Sequence, residues 1–173
     1  SEMCIRDRYW GGGGIFGLEA GFTLKESTVS GNSTGGDGGG IYVWGPLYGV
    51  DPPVIEDCIV SGNETGSNGG GIGLDEDVDA TITRTFVVDN HAGQYFGGMV
   101  VFGTDATLTN LTISGNTASQ GGGVEAWGSA HPEVINSIIW NNTPTAVSLY
   151  GSGGIDIRYC DIQGGWGGWT NIN

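Results

Sequence analysis

The sequence predicts an all-β solenoid of about six coils, each with about 26 residues and three short strands. Three observations carry this prediction. A short motif ending in asparagine recurs along the chain, apolar residues recur at fixed distances before it, and glycine supplies 36 of the 173 residues. Glycine costs about 1 kcal/mol per helical position relative to alanine, so glycine at this density disfavours helices.

A five-residue motif that ends in asparagine marks five of the coils. The motif reads TVSGN, IVSGN, FVVDN, TISGN and IIWNN, and its asparagines are Asn32, Asn63, Asn90, Asn116 and Asn142. The asparagines are 31, 27, 26 and 26 residues apart, and a degenerate sixth copy, DIQGG, ends at Gly165. Asparagine tolerates the left-handed backbone of a turn, and its amide can hydrogen-bond along a stack of coils. We therefore expect these asparagines to form a structural turn ladder.

Apolar columns accompany the motif in every coil. The residues three before the asparagines are Val29, Val60, Val87, Ile113 and Ile139, and those eight before are Leu24, Ile55, Ile82, Leu108 and Val134. A third strand follows a glycine cluster, as in Gly38-Gly39-Gly40-Ile41. Since one coil cannot bury its apolar face alone, the coils are expected to stack about 4.8 Å apart, with a continuous core between the strands.

Composition excludes two classes of interaction. The chain has 5 Lys+Arg against 19 Asp+Glu, a formal net charge of −14, which repels the phosphates of nucleic acids. A membrane-spanning helix needs about 18 or more consecutive apolar residues, and the sequence contains no such run. We therefore expect neither nucleic-acid binding nor a transmembrane segment.

The ends of the sequence indicate a fragment. Residues 1–8 share nothing with the repeats and resemble a translated sequencing-adaptor scar, so the predicted domain is one solenoid over residues 9–173, truncated at both ends. Cys4 lies in that scar, and Cys58 and Cys160 occupy one inward column, four coils apart. That separation is about 19 Å, whereas a disulfide needs Cα atoms within about 7 Å, so the two cysteines are expected to stay unpaired.

Outward positions of the strand after each glycine cluster form a candidate binding face. Aromatic residues recur there, interrupted by Asp75, and the predicted ligand-binding residues are Tyr42, Trp44, Phe102, Glu125, Trp127 and Tyr150. Aromatic rings with interspersed carboxylates suit stacking on sugar rings and hydrogen bonding to hydroxyls. The alternative is that these aromatics stack on one another and stabilise the sheet.

An acidic segment is a candidate metal site. Asp75, Asp77 and Asp79 alternate along the sequence, which places three carboxylates on one side of an extended loop. Calcium takes oxygen ligands of this kind, so calcium is the one cofactor considered, and none is required. The alternative is a solvated acidic loop.

No catalytic residue is assigned from the sequence. A glycoside hydrolase needs paired carboxylates about 5 to 10 Å apart. Asp75 and Glu125 share the binding face, but they lie two coils apart, roughly 10 Å, and on different columns. A polysaccharide lyase would need an Arg or Lys base, and no basic residue falls in the aromatic column.

These motifs resemble the right-handed parallel β-helix repeat family, the pectate-lyase-like superfold. The pairing of Gly-Gly-[Ile/Val/Met] with [Val/Ile]-x-x-Asn, as in Val29-Ser-Gly-Asn32 and Ile113-Ser-Gly-Asn116, resembles the repeats of chlamydial polymorphic outer-membrane proteins and related bacterial surface passengers. The family's aromatic at the first motif position is Val or Ile here.

The resemblance implies a right-handed single-stranded parallel β-helix that is extracellular or displayed on a bacterial cell surface. It implies an adhesin-like or carbohydrate-binding role toward polysaccharides or host-cell glycans. Since the residues offer no acid/base pair, we expect this segment to be non-catalytic. One alternative is part of a polysaccharide lyase or glycoside hydrolase whose active coils lie elsewhere or on the face of Asp75 and Glu125. A second is a structural spacer.

Overall fold

The computed structural model describes residues 13–45, 49 and 51–165. The expected scar at residues 1–8, with Cys4, and the ends of the expected domain at 9–12 and 166–173 lie outside the described residues. The described residues form strands and turns, and they contain no helix that is long and apolar enough to span a membrane.

Twenty-one short strands follow one another in six coils. The first coil contains β1 (Ile15–Leu18), β2 (Thr23–Lys25), β3 (Thr28–Ser30) and β4 (Ser33–Thr34). The second contains β5 (Ile41–Trp44), β6 (Val54–Glu56), β7 (Ile59–Ser61) and β8 (Glu64–Thr65), and the third contains β9 (Ile72–Asp75), β10 (Thr81–Thr83), β11 (Phe86–Val88) and β12 (His91–Ala92). The fourth contains β13 (Met99–Phe102), β14 (Thr107–Thr109) and β15 (Thr112–Ser114), and the fifth contains β16 (Val124–Gly128), β17 (Glu133–Ile135) and β18 (Ile138–Trp140). The sixth contains β19 (Val147–Gly151), β20 (Asp156–Arg158) and β21 (Asp161–Ile162).

Equivalent strands of successive coils pair in parallel, which makes the chain a β-solenoid. The first sheet has the order β1-β5-β9-β13-β16-β19, the second β2-β6-β10-β14-β17-β20 and the third β3-β7-β11-β15-β18-β21. The predicted all-β solenoid of about six coils is therefore confirmed. A fourth sheet of two-residue strands, β4-β8-β12, was not expected, because two residues are too few to show a strand periodicity.

The core runs along the axis between the sheets. Inward residues of the first sheet are stacked and buried, as at Ile41, Ile72, Met99, Val124 and Val147. The apolar columns expected from the sequence are buried in the other two sheets, at Ile55, Ile82, Leu108 and Val134 in the second and at Val60, Val87, Ile113 and Ile139 in the third. Cys58 is buried among them, and both Cys58 and Cys160 are free thiols.

The repeated asparagines are buried and hydrogen-bonded from coil to coil. Asn63 Nδ2 donates to Asn90 Oδ1 at 2.9 Å, and Asn90 Nδ2 donates to Asn116 Oδ1 at 3.0 Å. Equivalent bonds link Asn32 to Asn63 and Asn116 to Asn142. A ladder of side-chain amides therefore runs through the interior of the solenoid.

The left-handed backbone lies one residue before each asparagine, and not at the asparagine as expected. The residues that adopt it are Gly31, Gly62, Asp89, Gly115 and Asn141, with φ between 55° and 70°. At those positions the turn requires a residue that tolerates positive φ, and Gly, Asp and Asn do so. The ladder position instead requires an amide that reaches the next coil.

Candidate binding groove

One of the two outward columns of the first sheet runs from Trp44 to Tyr150, and we call it the aromatic column. Trp44 pairs with Asp75, Asp75 with Phe102, Phe102 with Trp127 and Trp127 with Tyr150. Trp44, Phe102 and Tyr150 are 40%, 38% and 64% exposed. The register places these side chains on one face, in the order that the sequence spacing predicts.

Trp127 lies at the centre of an aromatic cluster. Its ring centroid is 5.6 Å from that of Phe102 and 5.2 Å from that of Tyr150. Tyr95 and Phe96, in the turn before β13, add ring contacts at 6.0 Å and 5.2 Å. These edge and tilted arrangements are favourable between aromatic rings, so Trp127 is both part of the face and a packing centre.

A groove of about 210 Å³ opens beside this cluster, and we call it the binding groove. Its lining consists of Asp37, Tyr42, Asn68, Asp75, Phe96, Val100, Phe102 and Trp127. Of the six ligand-binding residues predicted from the sequence, Tyr42, Phe102 and Trp127 line it. Trp44, Glu125 and Tyr150 lie outside it.

Tyr42 and Asp75 form the polar centre of the groove. The Tyr42 ring lies over Gly73, where an added Cβ would come within 2.4 Å of Tyr42 Cδ2. This position lets the Tyr42 hydroxyl donate to Asp75 Oδ2 at 2.7 Å. Burial and this bond raise the pKa of Tyr42. Burial also raises the pKa of Asp75, aided by the charges of Glu76 and Asp37, although the bond from Tyr42 opposes the shift.

Asn68 and Asp37 supply the remaining polar wall. The Asn68 backbone N–H donates to Asp37 Oδ1 at 3.1 Å, which joins the turns of two successive coils. The side-chain oxygen Asn68 Oδ1 is buried and accepts no hydrogen bond within residues 13–45, 49 and 51–165. A buried acceptor without a donor is unfavourable.

Glu125 occupies the outward register expected for it, but its side chain is covered. The residue is 7% exposed, and its Oε2 accepts a 2.6 Å hydrogen bond from the Ser148 hydroxyl. The glutamate packs against Gly121, where an added Cβ would collide with Oε2. Burial raises the pKa of Glu125, and the Ser148 hydrogen bond only partly offsets the shift.

Glu125→Gln is expected to raise stability at neutral pH and to lose that advantage in acid. A carboxyl whose folded pKa lies above its unfolded pKa opposes folding when ionised, and this penalty is relieved as pH falls through the folded pKa. Melting temperatures of the wild type and the variant should therefore converge on acidification. Exposed Glu64→Gln is the control and should track the wild type throughout. If the melting temperatures of Glu125→Gln and the wild type differ by the same amount at every pH, the raised pKa of Glu125 is contradicted.

The acidic segment does not gather into a three-carboxylate cluster. Asp75 Oδ2 accepts from Tyr42, while Asp79 Oδ1 accepts from the Thr104 hydroxyl at 2.8 Å and from the Asp105 N–H at 3.0 Å. The part of the chain that the structure describes holds no group of three or more His, Cys, Asp or Glu residues arranged for a metal ion. Calcium binding by Asp75, Asp77 and Asp79 stays a prediction, which a rise in melting temperature in millimolar calcium would support.

The Lys and Arg residues that the structure describes lie on another face. Within the described ranges, the Lys and Arg residues are Lys25, Arg84 and Arg158, and all belong to the second sheet or the turns beside it. Lys25 pairs with Glu56 at 2.7 Å, Arg84 with Asp57 at 2.7 Å, and Arg158 with Glu133 at 3.2 Å. Among the residues that the structure describes, the lining of the binding groove therefore contains carboxylates and no cation.

The third sheet carries a second exposed apolar column. Ile59 and Phe86 are neighbours there, and Ile138 lies two coils further along, each between 43% and 49% exposed. This column lies on a different sheet from the strands that line the groove. It therefore supplies control positions for experiments on the binding groove.

Comparison with known families identifies two similarities. A family model described as the right-handed β-helix region matches residues 47–170, more than half of the chain. A model of the Chlamydia polymorphic membrane protein repeat matches residues 26–43. No curated protein and no solved structure gives a significant match.

Proposed function

Because the chain belongs to the right-handed β-helix family, whose scaffold here presents an aromatic groove, we propose that it is a carbohydrate-binding, adhesin-like segment of a bacterial surface protein. The proposed ligands are polysaccharides or host-cell glycans, and the proposed role in this segment is binding without catalysis. The polymorphic membrane protein repeat at residues 26–43 supports a surface location, since that repeat belongs to an outer-membrane or cell-surface family.

The observation that carries the proposal is the pairing of aromatic and polar walls in one groove. Phe96, Phe102 and Trp127 form the apolar wall, and Asp37 and Asp75 lie in the polar lining. Sugar rings have apolar C–H faces that pack on aromatic rings and hydroxyl edges that hydrogen-bond to carboxylates. In this proposal the aromatic wall contacts the C–H face of a pyranose ring, and the carboxylates contact its hydroxyl groups.

The arrangement also favours binding over catalysis. Asp75 and Glu125 bond to Tyr42 and Ser148 respectively, and Glu125 is covered. A glycosidase needs two carboxyls that both reach the glycosidic bond, and a buried Glu125 outside the groove does not provide the second. The lack of a cation in the groove lining likewise removes the base that a lyase would use there.

Phe102→Ala is expected to weaken glycan binding at least tenfold, a factor that corresponds to about 1.4 kcal/mol. Phe102 is 38% exposed on the groove wall, so its removal should cost contact area without opening the core. Trp127 is a poorer choice, because it packs against Tyr95 and Phe96. The measurement is a glycan-array screen followed by titration of the best ligand.

The matched control is Phe86→Ala. Phe86 is 49% exposed at an outward strand position of the third sheet, whereas the strands that line the groove belong to the first sheet. This variant should bind like the wild type, and both variants should keep the wild-type melting temperature within a few degrees. Equal affinities for the wild type and Phe102→Ala would contradict the proposed location, and an array without any glycan ligand would contradict the proposed function.

A further inference from the structure

We infer that the binding groove selects an amino sugar, a sugar unit with a free ammonium group that contacts the carboxylates of Asp37 and Asp75. This inference rests on the proposed function and names the ligand class of the same site. Three features of the groove support it: its polar atoms are mainly hydrogen-bond acceptors, it has an aromatic wall, and the described cations lie on another sheet or in its turns.

The polar atoms of the groove are predominantly acceptors. Asp37 and Asp75 present carboxylate oxygens. The Tyr42 hydroxyl proton is already donated to Asp75 Oδ2. A ligand that matches this lining must donate hydrogen bonds, and an ammonium group offers only donors.

The aromatic wall favours a cation over a neutral group of similar size. Phe96, Phe102 and Trp127 line the groove together, and Phe96 and Phe102 each lie within 6 Å of Trp127 between ring centroids. The faces of such rings attract ammonium groups, and the attraction is stronger where water is partly excluded. A hydroxyl group would gain the hydrogen bonds to the carboxylates but not this interaction.

The charge distribution disfavours an acidic sugar. As far as the chain is described, the groove lining contains no Lys, Arg or His, while Lys25, Arg84 and Arg158 are paired with carboxylates on the second sheet or in its turns. A uronic acid would bring a further carboxylate beside Asp37 and Asp75, and its repulsion would have no nearby cation to offset it. Oligogalacturonides should therefore bind far more weakly than glucosamine oligomers.

The proposed contact has a pH signature. The groups that face Asp75 are Tyr42, Asp37 and Glu76, and burial together with the two acidic neighbours raises the pKa of Asp75. An ammonium beside Asp75 stabilises its ionised form, so the affinity for an amino sugar falls as pH drops through that pKa. The affinity also falls once the amine itself loses its proton. N-acetylated sugars, which carry no titrating amine, should lack the fall on the alkaline side.

The test is calorimetric titration with glucosamine oligomers, N-acetylglucosamine oligomers and oligogalacturonides of equal length. Wild type should bind the glucosamine oligomer at least tenfold more tightly than the other two. Asp75→Asn and Asp37→Asn should each remove most of that preference, because each should weaken binding of the glucosamine oligomer much more than binding of the N-acetylated oligomer. Asp161→Asn, an exposed carboxylate on the third sheet, controls for the overall charge of −14 and should retain the preference.

Each unfavourable outcome has a separate meaning. Equal affinity for the N-acetylated oligomer, or tighter binding of oligogalacturonide, would overturn the amino-sugar inference while the carbohydrate proposal stands. An equal loss in Asp161→Asn would also overturn it, because unspecific attraction to an acidic protein would then explain the preference. Equal affinity for oligolysine would overturn recognition of the sugar. Binding of no carbohydrate at all would contradict the proposed function itself.

Discussion

Replacing Asn90 with alanine is expected to lower the free energy of unfolding by about 3 to 5 kcal/mol, because it leaves several buried polar groups without partners. Asn90 Oδ1 accepts from the backbone N–H and the side-chain amide of Asn63, at 3.0 Å and 2.9 Å. Asn90 Nδ2 donates to the Val60 carbonyl and to Asn116 Oδ1, both at 3.0 Å. Urea-induced unfolding measures the loss.

Two further variants keep this prediction specific. Asn90→Asp has nearly the same shape and retains the accepting oxygen but loses the donor, so it should also destabilise the protein strongly. Asn141→Gly is the control, since Asn141 is exposed, adjoins ladder residue Asn142 and has a φ of 58° that glycine adopts without strain. If Asn90→Ala and Asn141→Gly unfold at the same urea concentration, the ladder does not hold the coils together.

Gly71→Ala is expected to destabilise the solenoid by about 3 kcal/mol, through overpacking. A Cβ at Gly71 would lie 2.4 Å from the Gly98 carbonyl oxygen and 2.8 Å from Val87 Cγ1. The first contact is with the backbone of the next coil, which cannot move without breaking its own strand pairing. Stability is again measured by urea-induced unfolding.

Gly35→Ala is the matched control for this substitution. Gly35 has no heavy atom within 4 Å of an added Cβ, and its φ is not positive. The same chemical change should therefore be neutral or slightly stabilising, as alanine has the smaller entropy loss on folding. A Gly71→Ala protein as stable as Gly35→Ala would show that the glycine clusters are not required by close packing of the coils.

The fold was predictable because every coil repeats the same environment. Inward positions such as Ile72 and Met99 must be apolar in each coil, so five copies of one pattern reinforce one another where a single strand would be ambiguous. The side-chain ladder is visible for the same reason. The positive φ one residue before each ladder asparagine was not predictable, because Gly, Asp and Asn occupy that position and share a conformation rather than a residue type.

The binding groove was only partly predictable because its turns differ from coil to coil. Phe102 and Trp127 sit on strands and follow the repeat, whereas Asp37, Asn68 and Phe96 belong to turns before the glycine clusters. The repeat aligns these turn positions, as the parallel bridges from Asn68 to Tyr95 and from Tyr95 to Gln120 show, but their residue types differ from coil to coil, so the sequence pattern does not mark them as groove residues.

Single small residues also decide what is exposed. Gly73 leaves the space that the Tyr42 ring fills, and Gly121 leaves space for the Glu125 carboxyl. The outward register of Tyr42 and Glu125 follows from the strand pattern, but the burial of Tyr42 depends on its register partner Gly73 in the next coil, and that of Glu125 on Gly121 in a turn. Alternation along a strand therefore predicts the direction of a side chain better than its accessibility.

The most direct test of a carbohydrate-binding groove is to map the bound sugar by backbone and indole NMR shifts during titration with the best glycan ligand. Sugar binding in the groove should give saturable shifts at Asn68, Asp75, Phe102 and the Trp127 indole, with the third-sheet residues Ile59, Phe86 and Ile138 unchanged. Shifts confined to the third sheet, or spread evenly over both faces, would contradict it.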